Sequence, residues 1–210
     1  MSPIFEFLLK PYQNYETLDI ALESVAVTLG LLSVWFAKKD QIAVYPIGML
    51  STAIFVYILL QANLLGDMLI NAYFFIVSIY GWYFWVHKKR RKTENTISRM
   101  NPLEKKLWFV FFIVIIFSVA GIYILFDKWQ DWSAPIDCFT TALFFVGMWF
   151  MARKRLEHWI FWIVGDLISI PLYLYKGLGL TSFQYLIFTL IAIFGYIEWK
   201  RIYNNKRVIA

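Results

Sequence analysis

The chain has very few of the residues that build disulfide-stapled or metal-binding proteins. Its 210 residues include one cysteine, Cys138, and two histidines, His87 and His158. A single cysteine can form neither an intramolecular disulfide nor a cysteine-rich metal site, so we expect no metal and no cofactor. Both histidines lie beside basic residues at the ends of apolar segments, where we expect interfacial residues rather than ligands.

Signals for catalysis and for secretion are missing as well. The sequence contains no GxxxxGK phosphate-binding loop, and it places no nucleophile with a base, or pair of metal ligands, at one depth. We therefore expect a protein that is not an enzyme and does not use ATP itself. The N-terminal stretch lacks the basic start and small-residue cleavage site of a signal peptide, and residues 1–18 are predicted to lie along a membrane surface.

Apolar residues, by contrast, are abundant. Hydrophobic residues make up 60% of the chain and aromatic residues 20%, with a mean hydropathy of +0.60, whereas about 45–50% apolar residues is usual in soluble domains. Seven windows are long and apolar enough to span a bilayer: 19–37, 41–60, 67–86, 107–126, 134–151, 159–175 and 180–199. The sequence thus predicts an all-α membrane protein with seven transmembrane helices.

Lysine and arginine fall almost entirely on one side of this seven-span plan. Seventeen of the 20 lie after spans one, three, five or seven, and only Lys10, Lys128 and Lys176 lie on the other side. By the positive-inside rule, the N-terminus faces outward, and the basic loop 87–106 and the tail 200–210 face the cytoplasm. Because the net charge of +6 resides in these loops, we expect no nucleic-acid partner.

The two ends of the chain resemble each other when one is shifted by 114 positions. The shift aligns, without a gap, Glu23 with Asp137, Trp35 with Trp149, Gly81 with Gly195, and Trp85 with Trp199. Residues 19–86 and 134–199 are therefore predicted to be two three-helix units, with the span 107–126 as a linker. One linking span makes the two units parallel, which predicts a SWEET-like 3+1+3 plan with a site between them. The intramembrane acids Glu23 and Asp137 either form structural pairs or line the transport path.

The sixth span carries a carboxylate inside an apolar run. In HWIFWIVGDLISIPLYLY, residues 158–175, the side chains of Trp159, Trp162 and Asp166 share one helical face within about 60°. Inserting a charge at such a depth costs roughly 2.5–3.5 kcal/mol, which predicts that the charge has a functional use. Two indoles and a carboxylate make a suitable receptor for a flat, cationic ring.

Three motifs are similar to those of a known family: YGWYFW at 80–85, EHWIFW at 157–162 with a polar residue at 166, and GYIEW at 195–199. They resemble the PnuC family of vitamin transporters, and the resemblance extends over about residues 19–201. It implies a seven-helix protein of the bacterial inner membrane that takes up nicotinamide riboside by facilitated diffusion. It also implies a cytoplasmic kinase that traps the vitamin by phosphorylation after uptake.

The same resemblance implies particular substrate-binding residues. Trp159 and Trp162 would flank the aromatic ring, the residue at 166 would face the substrate, and Asn71 would hydrogen-bond it where the family tends to have glutamine. The chain departs from the family at two positions, because Asp166 and Ser51 stand where asparagines are expected.

Span seven supplies two further candidates, Gln184 and Tyr185. Tyr185 is the partner of Asn71 under the 114-residue shift, which puts both near the axis between the units. Polar side chains of this kind also act as packing contacts between membrane helices.

The identity of the substrate stays open at this point. Nicotinamide riboside and thiamin are both cations with flat rings, so Asp166 suits either, whereas neutral riboflavin gains nothing from it. A proton-coupled carrier, in which Asp166, Glu23 or Asp137 titrates, and a SWEET-type sugar carrier are the alternatives. The expected partners are a small-molecule vitamin and membrane lipid, and the sequence does not decide between a monomer and a homo-oligomer.

Overall fold

The computed structural model describes residues 17–61, 65–90, 96–127, 129, 131–176 and 179–209. These residues form seven helices: α1 (Thr17–Lys38), α2 (Val44–Gln61), α3 (Leu65–Arg90), α4 (Pro102–Leu125), α5 (Ser133–Ala152), α6 (His158–Tyr175) and α7 (Gly179–Ile209). All seven are long and apolar enough to cross a membrane, which confirms the predicted fold class and number of spans. The predicted surface segment 1–18 lies outside the described residues, except for its last two positions in α1.

Several helices are longer than the apolar windows that predict them. Helix α3 continues to Arg90 and α7 to Ile209, beyond the predicted span ends at 86 and 199. Basic residues near a helix C-terminus interact favourably with the helix dipole, so these helices persist after the apolar run has ended. Helix α4 begins early, at Pro102, because Asn101 and Glu104 form a capping box and proline suits the first helical turn.

The helices α1–α3 and α5–α7 form a ring of six. Helix α2 packs between α1 and α3, and α6 packs between α5 and α7. The ring closes where α1 contacts α7 and α3 contacts α5, while α4 packs against α5 from outside the ring. Exchanging α1–α3 for α5–α7 leaves the contacts within the ring unchanged, as two similar three-helix units would require, whereas the contact between α4 and α5 has no counterpart of similar extent.

The α1–α2 and α5–α6 turns have the same backbone geometry at equivalent positions. Asp40 and Lys154, which are 114 residues apart, both have a φ of 54°. In each turn the N–H of the next residue donates to the carbonyl five residues back, at 3.0 Å after Asp40 and 2.9 Å after Lys154. The sequence shift therefore has a structural counterpart here. We call this side of the bundle the basic end, defined by residues 38–43 and 153–157.

Large aromatic rings fill the core near the basic end. Four of them are at most 2% exposed and form two pairs under the 114-residue shift: Tyr45 with Trp159, and Trp85 with Trp199. The indole N–H of Trp85 donates to Ala152 O at 3.1 Å, and that of Trp199 donates to Ala37 O at 2.9 Å. In each three-helix unit, a buried tryptophan thus forms a hydrogen bond with the first helix of the other unit.

Gly81 and Gly195 make room for two of these rings. A Cβ atom at Gly81 would lie 2.3 Å from Tyr45 Cε1, and one at Gly195 would lie 2.6 Å from Trp159 Cη2. These distances are far below van der Waals contact, so both positions require glycine for packing.

His158 is the main departure from expectation in the fold, because it is wholly buried rather than interfacial. Its Nδ1 lies 2.7 Å from Arg155 O, and its ring packs on Trp159 and Trp199 with centroid distances of 4.4 and 4.6 Å. The segment before α4 lies across the α5–α6 turn, where Ser98 N donates to the carbonyl of residue 154 at 3.0 Å. That coverage removes His158 from the surface, whereas His87 is exposed as expected.

Candidate functional site

A cavity of about 420 Å³ lies between the two three-helix units. Small-molecule sites typically enclose about 300–1,000 Å³, so the volume suits one vitamin-sized ligand. Along α6 the lining extends from Trp159 to Tyr173, which is roughly 21 Å of helix rise. The cavity therefore reaches through most of the hydrocarbon thickness.

All of the candidate substrate-binding residues line this one cavity, together with the acids Glu23 and Asp137: Ser51, Asn71, Trp159, Trp162, Asp166, Gln184 and Tyr185. They come from α1, α2, α3, α5, α6 and α7. The fold thus brings together side chains that are up to 162 positions apart in the chain, from Glu23 to Tyr185.

Asp166 lies in the cavity wall without a hydrogen-bond partner in the described part of the chain. Its side chain is 1% exposed, and neither carboxylate oxygen has a hydrogen-bond partner among the described residues. Three further buried groups of α6 share this condition: the indole N–H of Trp159, the hydroxyl of Ser169, and Nε2 of His158, which does not line the cavity. A buried polar group without a hydrogen-bond partner is destabilising, and a ligand in the cavity can supply the contacts that Asp166, Trp159 and Ser169 lack.

The other two acids differ from Asp166 in their surroundings. Asp137 forms an ion pair with Lys176, across the ends of α5 and α6. It therefore both pairs and lines the cavity, and Glu23 lines the cavity from α1. Among the described lining residues there are three acids and no lysine, arginine or histidine. The cavity accordingly favours a cation over an anion.

The wall formed by the second unit is aromatic. Phe144 stacks on Trp162 and on Tyr185, with centroid distances of 5.2 and 5.9 Å, and Tyr185 stacks on Tyr173 at 5.1 Å. Glycines on the facing helices make room for the first two rings. A Cβ at Gly165 would lie 2.5 Å from Phe144 Cε1. The result is a continuous row of four rings along one side of the cavity.

The wall formed by the first unit has small residues at the equivalent positions. The partners of Phe144 and Trp162 under the 114-residue shift are Gly30 and Gly48. Near them, Ser51 Oγ donates to a carbonyl of α1 at 2.7 Å, and Ser33 Oγ donates to a carbonyl of α2 at 2.8 Å. Because these hydroxyl protons are used within the protein, the oxygens can face a ligand only as acceptors. One wall is thus suited to a flat ring and the other to hydroxyl or amino groups.

Sequence reasoning missed several lining residues, namely Ser33, Phe144, Ser169 and Tyr173. The sequence does carry a signal for Phe144, because the 114-residue shift aligns this aromatic residue with a glycine, Gly30. No comparable signal marks Ser169, whose lack of a partner depends on its three-dimensional surroundings. Among the described residues, no group of three His, Cys, Asp or Glu side chains is placed to hold a metal ion.

The chain is similar to known proteins over nearly its whole length. A family model described as "Nicotinamide mononucleotide transporter" matches residues 20–201. The chain is similar to the nicotinamide riboside transporter PnuC of Escherichia coli (strain K12), with 27% identity over 201 residues, covering 85% of this chain and 84% of that protein. It is also similar to the riboflavin/roseoflavin transporter RibM of Streptomyces davaonensis, with 23% identity over 182 residues, covering 84% of this chain and 83% of that protein.

A solved structure has the same fold. The crystal structure of the vitamin B3 transporter PnuC is 22% identical in sequence and has a TM-score of 0.67. The match covers 97% of this chain and 91% of that one.

Proposed function

The chain belongs to the PnuC family, which the matching model describes as nicotinamide mononucleotide transporters, and we propose that it takes up a flat, cationic vitamin, in the first place nicotinamide riboside. Membership in the family confirms the resemblance seen in the motifs. With seven membrane-spanning helices, the chain is a multi-pass protein of the bacterial inner membrane.

The observation that carries the proposal is the unpartnered carboxylate of Asp166 in a cavity walled by aromatic rings. A pyridinium ring brings a positive charge on a flat surface. Its face can stack on Trp162, and its charge can balance Asp166, which lies one helical turn away. The carboxamide and ribose hydroxyls of nicotinamide riboside supply donors for the carboxylate and for the serine oxygens of α1 and α2.

The charges around the cavity favour the nucleoside over the corresponding mononucleotide. A phosphate group would have to enter a space lined by Glu23, Asp166 and Asp137, the last of which is paired with Lys176, without any basic residue among the described lining residues. Burying an anion in such surroundings is unfavourable. The substrate is therefore unphosphorylated when it crosses, and a cytoplasmic kinase traps it afterwards.

The mechanism that fits this architecture is uniport without chemistry on the substrate. In this mechanism the basic end faces the cytoplasm and the N-terminus faces outward, an orientation that the distribution of Lys and Arg supports. Rocking of the two units against each other exposes the midplane cavity first to one side and then to the other. The vitamin then moves down its own gradient, which phosphorylation maintains.

A second candidate is thiamin, and the same carboxylate favours it. Neither oxygen of Asp166 has a hydrogen-bond partner among the residues that the structure describes, and the ring nitrogen of nicotinamide riboside carries no hydrogen to donate to them. Thiamin offers an amino group on its pyrimidine together with a cationic thiazolium ring. Riboflavin and sugars are neutral and leave the carboxylate unbalanced, so they fit the cavity less well.

Calorimetric titration of the purified protein with nicotinamide riboside, thiamin and riboflavin tests the proposal. We expect saturable binding of one or both cations and weaker or no binding of riboflavin. The Asp131→Asn variant, which changes an exposed acid outside the cavity, serves as the control and should bind like the wild type. Failure to bind either cation would overturn the proposal.

A further inference from the structure

The hydroxyl of Ser169 is buried without a hydrogen-bond partner among the described residues, in contrast to nine other serine and threonine hydroxyls of the helices. Six serine and threonine side chains donate to the carbonyl four residues earlier in their own helix: Ser24, Thr28, Thr52, Ser118, Thr140 and Thr189. Three others donate to a carbonyl of a neighbouring helix: Ser33, Ser51 and Ser182. Ser169 makes neither kind of bond, although it is only 1% exposed.

The position of Ser169 connects it to the candidate site. It lines the cavity and follows Asp166 by three residues, so both side chains lie on the same face of α6. The two Cα atoms are separated by about 4.5 Å of helix rise. A buried hydroxyl without a partner is destabilising in the same way as the carboxylate, though less strongly, and both are relieved by a ligand in the cavity.

We propose that Ser169 is a substrate-binding residue that sets specificity together with Asp166, an inference that rests on the proposed function. The carboxylate receives the positive charge, and the hydroxyl forms a hydrogen bond with a polar group about one helical turn along the ligand. The substrate class is therefore an aromatic cation that carries an amide, amine or hydroxyl substituent. An aromatic cation without such a substituent can balance the carboxylate of Asp166 but leaves the hydroxyl of Ser169 without a hydrogen bond.

The competing explanation is that Ser169 is merely a small residue that lets α6 pack. The two explanations predict different responses to Ser169→Ala. If the hydroxyl contacts the ligand, the variant should bind more weakly, while the stability of the ligand-free protein stays unchanged or rises because no protein contact is lost. If Ser169 is only a small packing residue, binding should stay unchanged.

The test measures ligand affinity and the thermal midpoint of the ligand-free protein for the full-length chain. Nicotinamide riboside and thiamin are titrated into wild type, Ser169→Ala and Ser182→Ala. Ser182 is the matched control, because it is buried on α7 outside the cavity lining and its hydroxyl donates to Ile170 O of α6 at 2.8 Å. For Ser169→Ala we expect Kd to rise roughly 3–10-fold with no fall in the midpoint. For Ser182→Ala we expect the midpoint to fall and Kd to stay within twofold of the wild type.

The outcomes separate the two levels of the proposal. Binding by Ser169→Ala that equals the wild type would overturn the role of Ser169 and leave the transport of a cationic vitamin standing. A lower midpoint in Ser169→Ala, matching that of Ser182→Ala, would show that the hydroxyl is structural and would also overturn it. Absence of binding by the wild type would overturn the proposed function, and the role of Ser169 would fall with it.

Discussion

Lys154 Nζ lies 2.6 Å from Asp40 Oδ1, and these two residues stand at equivalent positions of the two halves, 114 residues apart. Both have the same left-handed backbone conformation in their turns. The lysine also lies 3.9 Å from the ring centroid of Trp85. The ion pair therefore joins the two units at the basic end, next to the buried aromatic rings. Any motion that separates the units at this end has to break it.

Removing one partner of this pair should destabilise the protein more than removing both. The side chain of Lys154 is only 6% exposed, so Asp40→Asn removes a negative charge 2.6 Å from a buried ammonium group. We expect a loss of up to about 3 kcal/mol, and partial recovery in the double variant Asp40→Asn/Lys154→Met. Thermal unfolding of the three proteins measures this. A double variant that is less stable than the single one would contradict the expectation.

Asp166→Asn should distinguish the two cationic vitamins. If the carboxylate pairs with donors on thiamin, its loss removes charge-assisted hydrogen bonds and weakens thiamin binding roughly 10–100-fold. The binding of nicotinamide riboside should be weakened less, because the amide oxygen introduced at position 166 can still accept a hydrogen bond from the carboxamide N–H of this vitamin. Titration of both vitamins checks this against the Asp131→Asn control. An equal loss for both would show that the carboxylate is not matched to thiamin.

The ring of Trp162 should contribute to binding through stacking. We expect Trp162→Ala to weaken the binding of a cationic vitamin roughly 10–100-fold, because a desolvated cation–π and stacking contact is lost. Trp82→Ala is the matched control, since this indole is 42% exposed on the outside of α3 and does not line the cavity. Calorimetry on both variants gives the comparison, and similar losses in the two would exclude a specific role for Trp162.

The equivalent glycines Gly81 and Gly195 should respond differently to alanine. In both variants the new Cβ overlaps a ring, which costs about 1–3 kcal/mol through overpacking. Gly195→Ala pushes on Trp159, which lines the cavity, whereas Gly81→Ala pushes on Tyr45, which does not. We therefore expect both to lower the thermal midpoint but only Gly195→Ala to weaken ligand binding. Weaker binding in both variants would show that the aromatic core acts on the cavity as a whole.

A uniporter should work without a proton gradient. In proteoliposomes, collapsing the pH gradient with an ionophore should leave the initial rate of vitamin uptake nearly unchanged, because the substrate gradient alone drives transport. A proton-coupled carrier, in which one of the cavity acids titrates during transport, would lose most of its uptake. Vesicles without protein measure the background leak.

The sequence by itself determined the seven spans, the 114-residue shift and the shared face of Trp159, Trp162 and Asp166. The spans and the shared face are local or periodic, since hydropathy over one helix length and the pitch of an α-helix are sufficient to predict them. The shift follows from aligning the sequence with itself. Asp166 was found for the same reason, because an acid inside an apolar run stands out in one dimension, whereas Asn71 and Ser51 were proposed from the family resemblance.

Only the tertiary structure decided which of these groups have partners. Asp137 meets Lys176, 39 positions away, while Asp166 and Ser169 meet none among the described residues. The burial of His158 and the packing of Phe144 over Gly165 likewise depend on which helices approach each other. Hydrogen bonds and ring contacts act over a few ångströms between segments far apart in the chain. No pattern along the sequence specifies them, because they exist only once the two units close around the cavity.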